Sequence, residues 1–585
     1  MNTADRPWLD PNLSVEDRVE TLLARMTLEE KAGQMFQHMI TMGAAGELSE
    51  GDPAFALPPT ADYLTVRHMK HFNLLGPAPS AREMARWSTD IQRAAQDTRL
   101  GIPVTVSTDP RNGFSDNPGA ALLAGPFSQW PEPLGLAATR DTELVEQFGD
   151  IARREYLAVG LRAALHPQVD LATEPRWARQ LQTFGEDAAL SGELGAAYVR
   201  GFQGESFGPE SVSAMIKHFP GGGPQLDGED PHFAYGREQV YPGGQFELHL
   251  EPFLPAFADG VRQVMPYYGM PVGTQYEEVA FGFNGGILTG LLRDRLGFDG
   301  VVCTDWGLIT DQDVLGAHFP ARAWGVEDLT PSERIIKAVN AGVDQFGGEA
   351  APELLIAAVR DGHLDEARID VSVRRLLREK FLLGLFDEPF VDEMAADGIV
   401  GAPEFRAAGD HAQRKSITVL HNAGALPFAR GIRLYVEGID PEVAAEYGAV
   451  VETPAEADLA VLRIGAPYED RGTAFENFFH AGSLDFAEPT LDHLREVAAV
   501  VPTVVDVFLD RPAILEPVVD LAAGVVANWG AHSRAVLDVL CGAFPASGRL
   551  PFDIPRSMAA VQASREDVPF DTADPLYRFG HGLSL

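Results

Sequence analysis

GVVCTDWG, residues 300–307, is the stretch on which the reading of the whole chain turns. Val301, Val302 and Cys303 show no polar alternation, the pattern of a strand buried on both faces in a parallel sheet. The run stops abruptly at a carboxylate, Asp305, beside an indole, Trp306. In α/β folds ligands bind at the carboxyl ends of strands, which makes Asp305 a candidate nucleophile. A strand-ending Asp that caps the next turn is the competing explanation, and companion motifs must decide between the two.

Upstream, four more apolar runs end in chemistry. They are IPVTVSTD at 102–109, LRAALHPQVDLA at 161–172, VSAMIKHF at 212–219 and VRQVMPYYG at 261–269. Their trailing residues are Asp109, His166 and Asp170, Lys217 and His218, and Tyr268. Amphipathic stretches separate the runs, which is the signature of βα units. Before them, residues 14–36 predict a helix capped at Ser14 and a second one starting at Thr27. Five strands with reactive groups at one end predict a single barrel with those groups gathered on one face.

Past residue 384 the pattern breaks into Pro, Gly and acidic residues, then restarts with IRLYVEGID, ADLAVLRIG, VPTVVDVFLD and AAGVVANWG. The fold class expected is therefore α/β: a (β/α)8-like TIM barrel over 1–388, a linker at 389–405, and a doubly wound α/β sandwich over 406–585.

Composition removes several classes of function. With 46 Lys+Arg against 85 Asp+Glu, a net charge of −39, the chain repels phosphate backbones and anionic lipid, so neither nucleic acid nor membrane is an expected partner. Only Cys303 and Cys541 are present, each inside an apolar run, which suits core thiols better than a disulfide framework. No zinc-ligand spacing occurs. The chain starts MNTADRPW without the apolar core of a secretory signal, and a cytoplasmic location is the expectation. Oligomeric state is not legible.

Seven motifs in one order resemble glycoside hydrolase family 3, in its β-glucosidase and exo-β-glucanase branch. They are MTLEEKAGQM at 26–35, EPRWARQLQTFGEDA at 174–188, KHFPGGG at 217–223, GVVCTDWG, FLLGLFDEPFVD at 381–392, SGRLPF at 547–552 and YRFGHGL at 577–583. The resemblance implies a barrel followed by an α/β sandwich with the cleft between them, Asp305 as nucleophile, and a glycone site of Asp109, Arg179, Lys217, His218, Tyr268 and Trp306. Sugar chemistry suits those types: a carboxylate accepts from hydroxyls, Lys and Arg donate to them, and an indole covers the apolar C–H face.

A retaining glycosidase also needs a proton donor opposite the nucleophile. The resemblance implies a Glu in the second-domain loop GAPYEDRGTAFENFFHAGSLDF, 465–486. Glu469, after Pro467-Tyr468, fits best and Glu476 competes. A different branch, the β-N-acetylglucosaminidases, uses an Asp-x-His pair, for which Asp230-Pro-His232 is the counterpart here. The function expected is an exo-acting retaining β-glycosidase, foremost a β-glucosidase, acting on a small glycoside or oligosaccharide without metal or organic cofactor. β-Xylosidase and β-N-acetylglucosaminidase activity are the alternatives. From other classes come a catalytically silent carbohydrate-binding protein and a metallohydrolase using His166, His218, His232 and Asp305.

Overall fold

The computed structural model describes residues 6–77, 79–115, 124–314 and 317–585. Eight short parallel strands form its first sheet: β1 Phe36–Thr41, β2 His71–Leu75, β3 Thr105–Thr108, β4 Ala163–Ala164, β5 Ser213–Phe219, β6 Gln263–Pro266, β7 Val301–Val302 and β8 Phe346–Gly347. They pair in the order β8-β1-β2-β3-β4-β5-β6-β7. A parallel bridge between Cys303 and Gln345 joins β7 to β8 and closes the barrel. All five strands expected from apolar runs lie in this sheet. β1, β2 and β8 were not anticipated: polar residues hide the pattern in β1 and β2, and β8 is only two residues long. In β1, Gln37 is buried and satisfied by donating from Nε2 to Ser107 Oγ of β3 at 2.6 Å.

The N-terminal helices are Val15–Leu23, capped by Ser14, and Leu28–Gln34, where Thr27 and Glu30 complete a reciprocal capping box. The expected linker is not loop throughout. Residues Glu393–Ile399 are helical, and Ala396, Val400, Ala402 and Phe405 are buried in the barrel's own core. The chain thus leaves the barrel along packed helix.

The second sheet contains β9 Thr418–Asn422, β10 Arg433–Glu437, β11 Ala449–Val450, β12 Leu459–Gly465, β13 Thr503–Phe508 and β14 Gly524–Asn528. Its order is β9-β14-β13-β12-β10-β11, parallel except for the β9–β14 pair. Apolar packing fixes it against the barrel: Leu134 and Ala138, from the helix after β3, belong to the cluster built by Leu462, Val505 and Trp529. The C-terminal segment adds polar ties, with Glu186 accepting from Asp553 N at 2.6 Å and Phe570 N at 2.9 Å. Cys303 and Cys541 are both free thiols. No helix among the described residues is long and apolar enough to cross a membrane.

Candidate active site

A cavity of about 470 Å³ opens between the barrel's strand ends and the second sheet. That volume lies within the roughly 300–1,000 Å³ range of small-molecule sites. The barrel side brings Asp109, Arg179, Lys217, His232, Tyr268, Asp305 and Trp306 to its wall, and the second sheet's loops contribute Phe475, Phe478, Phe479, His480 and Asp510. Strand ends explain the barrel half: β3 runs directly into Asp109, β5 carries Lys217, β6 leads into Tyr268 and β7 into Asp305.

Asp305 is 7% exposed, so a small polar ligand can reach a carboxylate that bulk solvent scarcely touches. Its Oδ1 accepts from Trp306 N at 2.8 Å. Tyr268 fixes the same turn from the other side, accepting from Trp306 N at 2.9 Å. Lys217 Nζ stands 3.3 Å from Asp109 Oδ1, and Asn73 Nδ2 donates to Asp109 Oδ2 at 3.2 Å. A cation and a carboxylate are thus set side by side, able to donate to and accept from adjacent hydroxyls. Burial works against charge on the Arg179 guanidinium, yet Asp230, Asp305 and Asp170 around it raise its pKa and keep it cationic.

His218 is placed differently from the expectation. Its ring is fully buried and absent from the cavity wall. Nδ1 lies 2.7 Å from Asp170 Oδ2, while Nε2 faces Asp305 Oδ2 at 3.7 Å. Burial, reinforced by Arg179 and Lys217, drives the imidazole pKa well below its ordinary value and leaves the ring neutral. Burial also lifts Asp170 to about 6 against the backbone N–H groups of His218 and Gly222. His218 thus stands beside Asp305 but off the cavity wall.

The two glutamates proposed as proton donors are not brought to the cavity. Glu469 is half exposed; its Oε1 accepts from Ser483 N at 3.1 Å and Arg471 stands 3.7 Å from Oε2. Glu476 is consumed by local structure, accepting from Thr473 Oγ1 at 2.9 Å at the start of the helix Ala474–Phe478 and from Tyr235 OH at 3.3 Å. An acidic residue three positions into a helix is drawn to the unpaired N–H groups there.

His232 does reach the cavity. Asp230 Oδ1 lies 2.6 Å from its Nδ1 and also accepts from its backbone N at 2.9 Å. Tyr267 OH donates to the other carboxylate oxygen at 3.3 Å. Ring contacts with Tyr268 and Phe479, both at 4.6 Å between centroids, hold the imidazole in place. Burial discourages ionisation of Asp230, but His232 and Arg179 outweigh it and hold the carboxyl pKa below its ordinary value. The Asp230-His232 spacing was legible in the sequence. His480 and Asp510 were not singled out, although Asp510 follows an expected strand and the strand-end rule would have found it.

A metal site is not what this geometry offers. Both nitrogens of His166 face tyrosines, Nδ1 at 2.6 Å from Tyr198 OH and Nε2 at 3.4 Å from Tyr156 OH. Among the described residues no three His, Cys, Asp or Glu side chains converge on a common point.

Residues 27–379 match the family model of the glycosyl hydrolase family 3 N-terminal domain and residues 316–585 that of its C-terminal domain. Beta-glucosidase C of Emericella nidulans is 52% identical over 575 residues, covering 97% of this chain and 92% of the relative. The periplasmic beta-glucosidase/beta-xylosidase of Dickeya chrysanthemi is 42% identical, covering 99% and 91%. Among solved structures, the beta-glucosidase from Listeria innocua in complex with isofagomine superposes with a TM-score of 0.77 at 23% identity, covering 97% of this chain and 83% of that one.

Proposed function

The chain belongs to glycosyl hydrolase family 3, and on that premise we propose a retaining, exo-acting β-glucosidase with Asp305 as its nucleophile. It removes terminal β-linked glucose from a small glycoside or oligosaccharide. Acetamido-sugar and xylose substrates are not the favoured reading, since relatives near half identity are named for glucosides. The observation that supports Asp305 is its position: a carboxylate on the wall of a sugar-sized cavity, flanked by Lys217, Asp109 and Arg179.

Asp305 attacks the anomeric carbon and forms a glycosyl ester while the leaving oxygen takes a proton from the opposite side; water then enters along the same path. For that proton we infer His232. Its Nδ1 edge is committed to Asp230, and among the described residues nothing engages Nε2, which leaves that atom for the glycosidic oxygen. The pair follows the logic of a base oriented by a carboxylate.

Asp305→Asn should abolish glucoside hydrolysis. A 2-deoxy-2-fluoro-glucoside should label the wild-type protein once, with the adduct on the peptide containing Asp305. Near-native turnover in the variant, or an adduct elsewhere, rejects the assignment.

A further inference from the structure

His480 and Asp510 lie in the same cavity, and the hydrolytic reading gives them no part. Asp510 follows β13 and His480 closes the loop above the barrel, with His480 Nδ1 hydrogen-bonded to Asp510 Oδ2. The imidazole lies flat on Tyr468, with ring centroids 4.0 Å apart and 2° between planes. Neighbouring Arg511 anchors the loop on either side of the pair, donating to Pro467 O at 2.8 Å and Ala481 O at 3.0 Å. The ring is thus held in one orientation by stacking, by a carboxylate and by its own backbone.

Exposure shows its depth. The side chains of Lys217 and Asp109 are 9% and 12% exposed, that of Asp305 is 9%, that of His480 is 33%, and Tyr468 beyond it is 46%. An exo-acting enzyme buries the terminal sugar at the closed end, so the leaving group lies toward the mouth, alongside His480. Phe475, Phe478, Phe479 and Phe508 line the same cavity. A polar pair among phenylalanines has a specific use. With Asp510 Oδ2 accepting the Nδ1 proton, the tautomer so fixed presents its acceptor at Nε2. A sugar leaving group offers hydroxyls to such an acceptor; an aryl leaving group offers only its face.

We propose that His480, held by Asp510, is a specificity-determining residue that accepts a hydroxyl of a saccharide leaving group and so favours disaccharide over aryl glucosides. This rests on the β-glucosidase reading. A site built to hydrogen-bond a hydroxyl discriminates strongly because the partner is otherwise left unpaired.

The test compares kcat/KM for cellobiose and for 4-nitrophenyl β-glucoside in wild type, His480→Phe and Asp510→Asn. His480→Phe should lower the value for cellobiose about tenfold further than that for the aryl glucoside. Asp510→Asn should move the ratio in the same direction by less, and His480→Gln, which keeps an acceptor, should restore part of it. A ratio unmoved in both His480→Phe and Asp510→Asn overturns the proposal while leaving the β-glucosidase intact. Formation of β-glucosyl azide by His480→Ala would also overturn it, since His480 would then be the proton donor. If wild type cleaves neither substrate, the functional reading itself falls.

Discussion

At the scale of single residues, the proton donor is where the sequence and the folded chain part company. A barrel group such as Asp109, Lys217 or Asp305 could be located by its place at a strand end, because a parallel strand buried on both faces leaves its last residues only one way to go. A loop carboxylate has no such constraint: Glu469 and Glu476 are turned aside by Ser483 N and by the Thr473 cap, which only coordinates reveal. The reassignment to His232 is testable by chemical rescue. His232→Ala should lose about 10²- to 10⁴-fold in turnover of a glucoside with a poor leaving group, the usual size of a general acid/base contribution. Azide should restore rate and yield β-glucosyl azide, whereas Glu469→Ala and Glu476→Ala should yield none. The pH profile follows from the same ring. Burial lowers the His232 pKa from the ordinary 6.5, with Arg179 and Arg322 adding to that and Asp230 opposing it. The acid form is therefore lost early as pH rises, and kcat/KM should fall through a midpoint below 6.5. Asp230→Asn removes the opposing charge, so its midpoint should move lower still; an alkaline limb that ignores this change excludes His232.

At the scale of elements, five of eight barrel strands and four of six in the second sheet could be read from apolar runs. Most of those that escaped fall into two groups. β1 and β2 carry Gln37, His71 and Asn73 into the barrel, where each is buried; polar groups with partners inside a barrel erase the periodicity used to detect strands. β4, β7, β8 and β11 are only two residues long, too short for any period to appear, and only the conspicuous flanks of β4 and β7 made those two visible. The loop between β12 and the helix Glu488–Ala498 is the element on which the cavity's upper wall depends, and one side chain organises it. Arg511 is wholly buried and reaches the carbonyls of Pro467, Ala481, Gly482 and Ser483 as well as Arg176 of the barrel. Burial brings its pKa down to about 10, still cationic at neutral pH. The planar guanidinium fork matches several fixed acceptors at once, which an ammonium does not. Arg511→Lys should therefore lower kcat/KM for glucosides by about tenfold or more, on the scale of 1.5–3 kcal/mol for lost charge-assisted hydrogen bonds. Protection of amides in 467–483 against hydrogen exchange should fall with it, while β1–β8 keep theirs. Equal loss of protection throughout would mean that Arg511 supports the whole fold instead of the loop.

At the scale of the whole molecule, buried titratable groups set how stability responds to pH, and two populations pull in opposite directions. Burial lowers His38 and His249 to about 4 and His71, His166 and His218 well below 6.5. These rings are neutral when folded and charge on unfolding, so the stability they support is lost as pH falls below 6.5. Burial instead raises Asp170 to about 6, Glu349 to about 7 and Glu186 to about 8. Each of these carboxyls keeps a proton in the folded chain that it gives up when unfolded. Their contribution is complete below the ordinary carboxyl range and disappears as pH rises through 6, 7 and 8. Above 6.5 Glu349 and Glu186 still titrate, while the buried amines Lys70, brought down to about 8 by burial, and Lys380, driven well below its ordinary value, pull the other way. Glu186, which joins the barrel to the C-terminal segment through Asp553 N and Phe570 N, carries the highest value among these three carboxyls and should by itself lower stability between pH 6.5 and 8. Within its window one such group contributes a slope of about 1.4 kcal/mol per pH unit. Melting temperatures recorded at one scan rate from pH 5 to 8.5 for wild type and Glu186→Gln isolate this contribution. Glu186→Gln, which cannot ionise, should melt lower at pH 6.5 because one N–H loses its acceptor, yet decline less steeply between 6.5 and 8. Parallel curves for the two proteins would show that Glu186 enters the fold already ionised, with the two N–H groups overcoming the cost of burial.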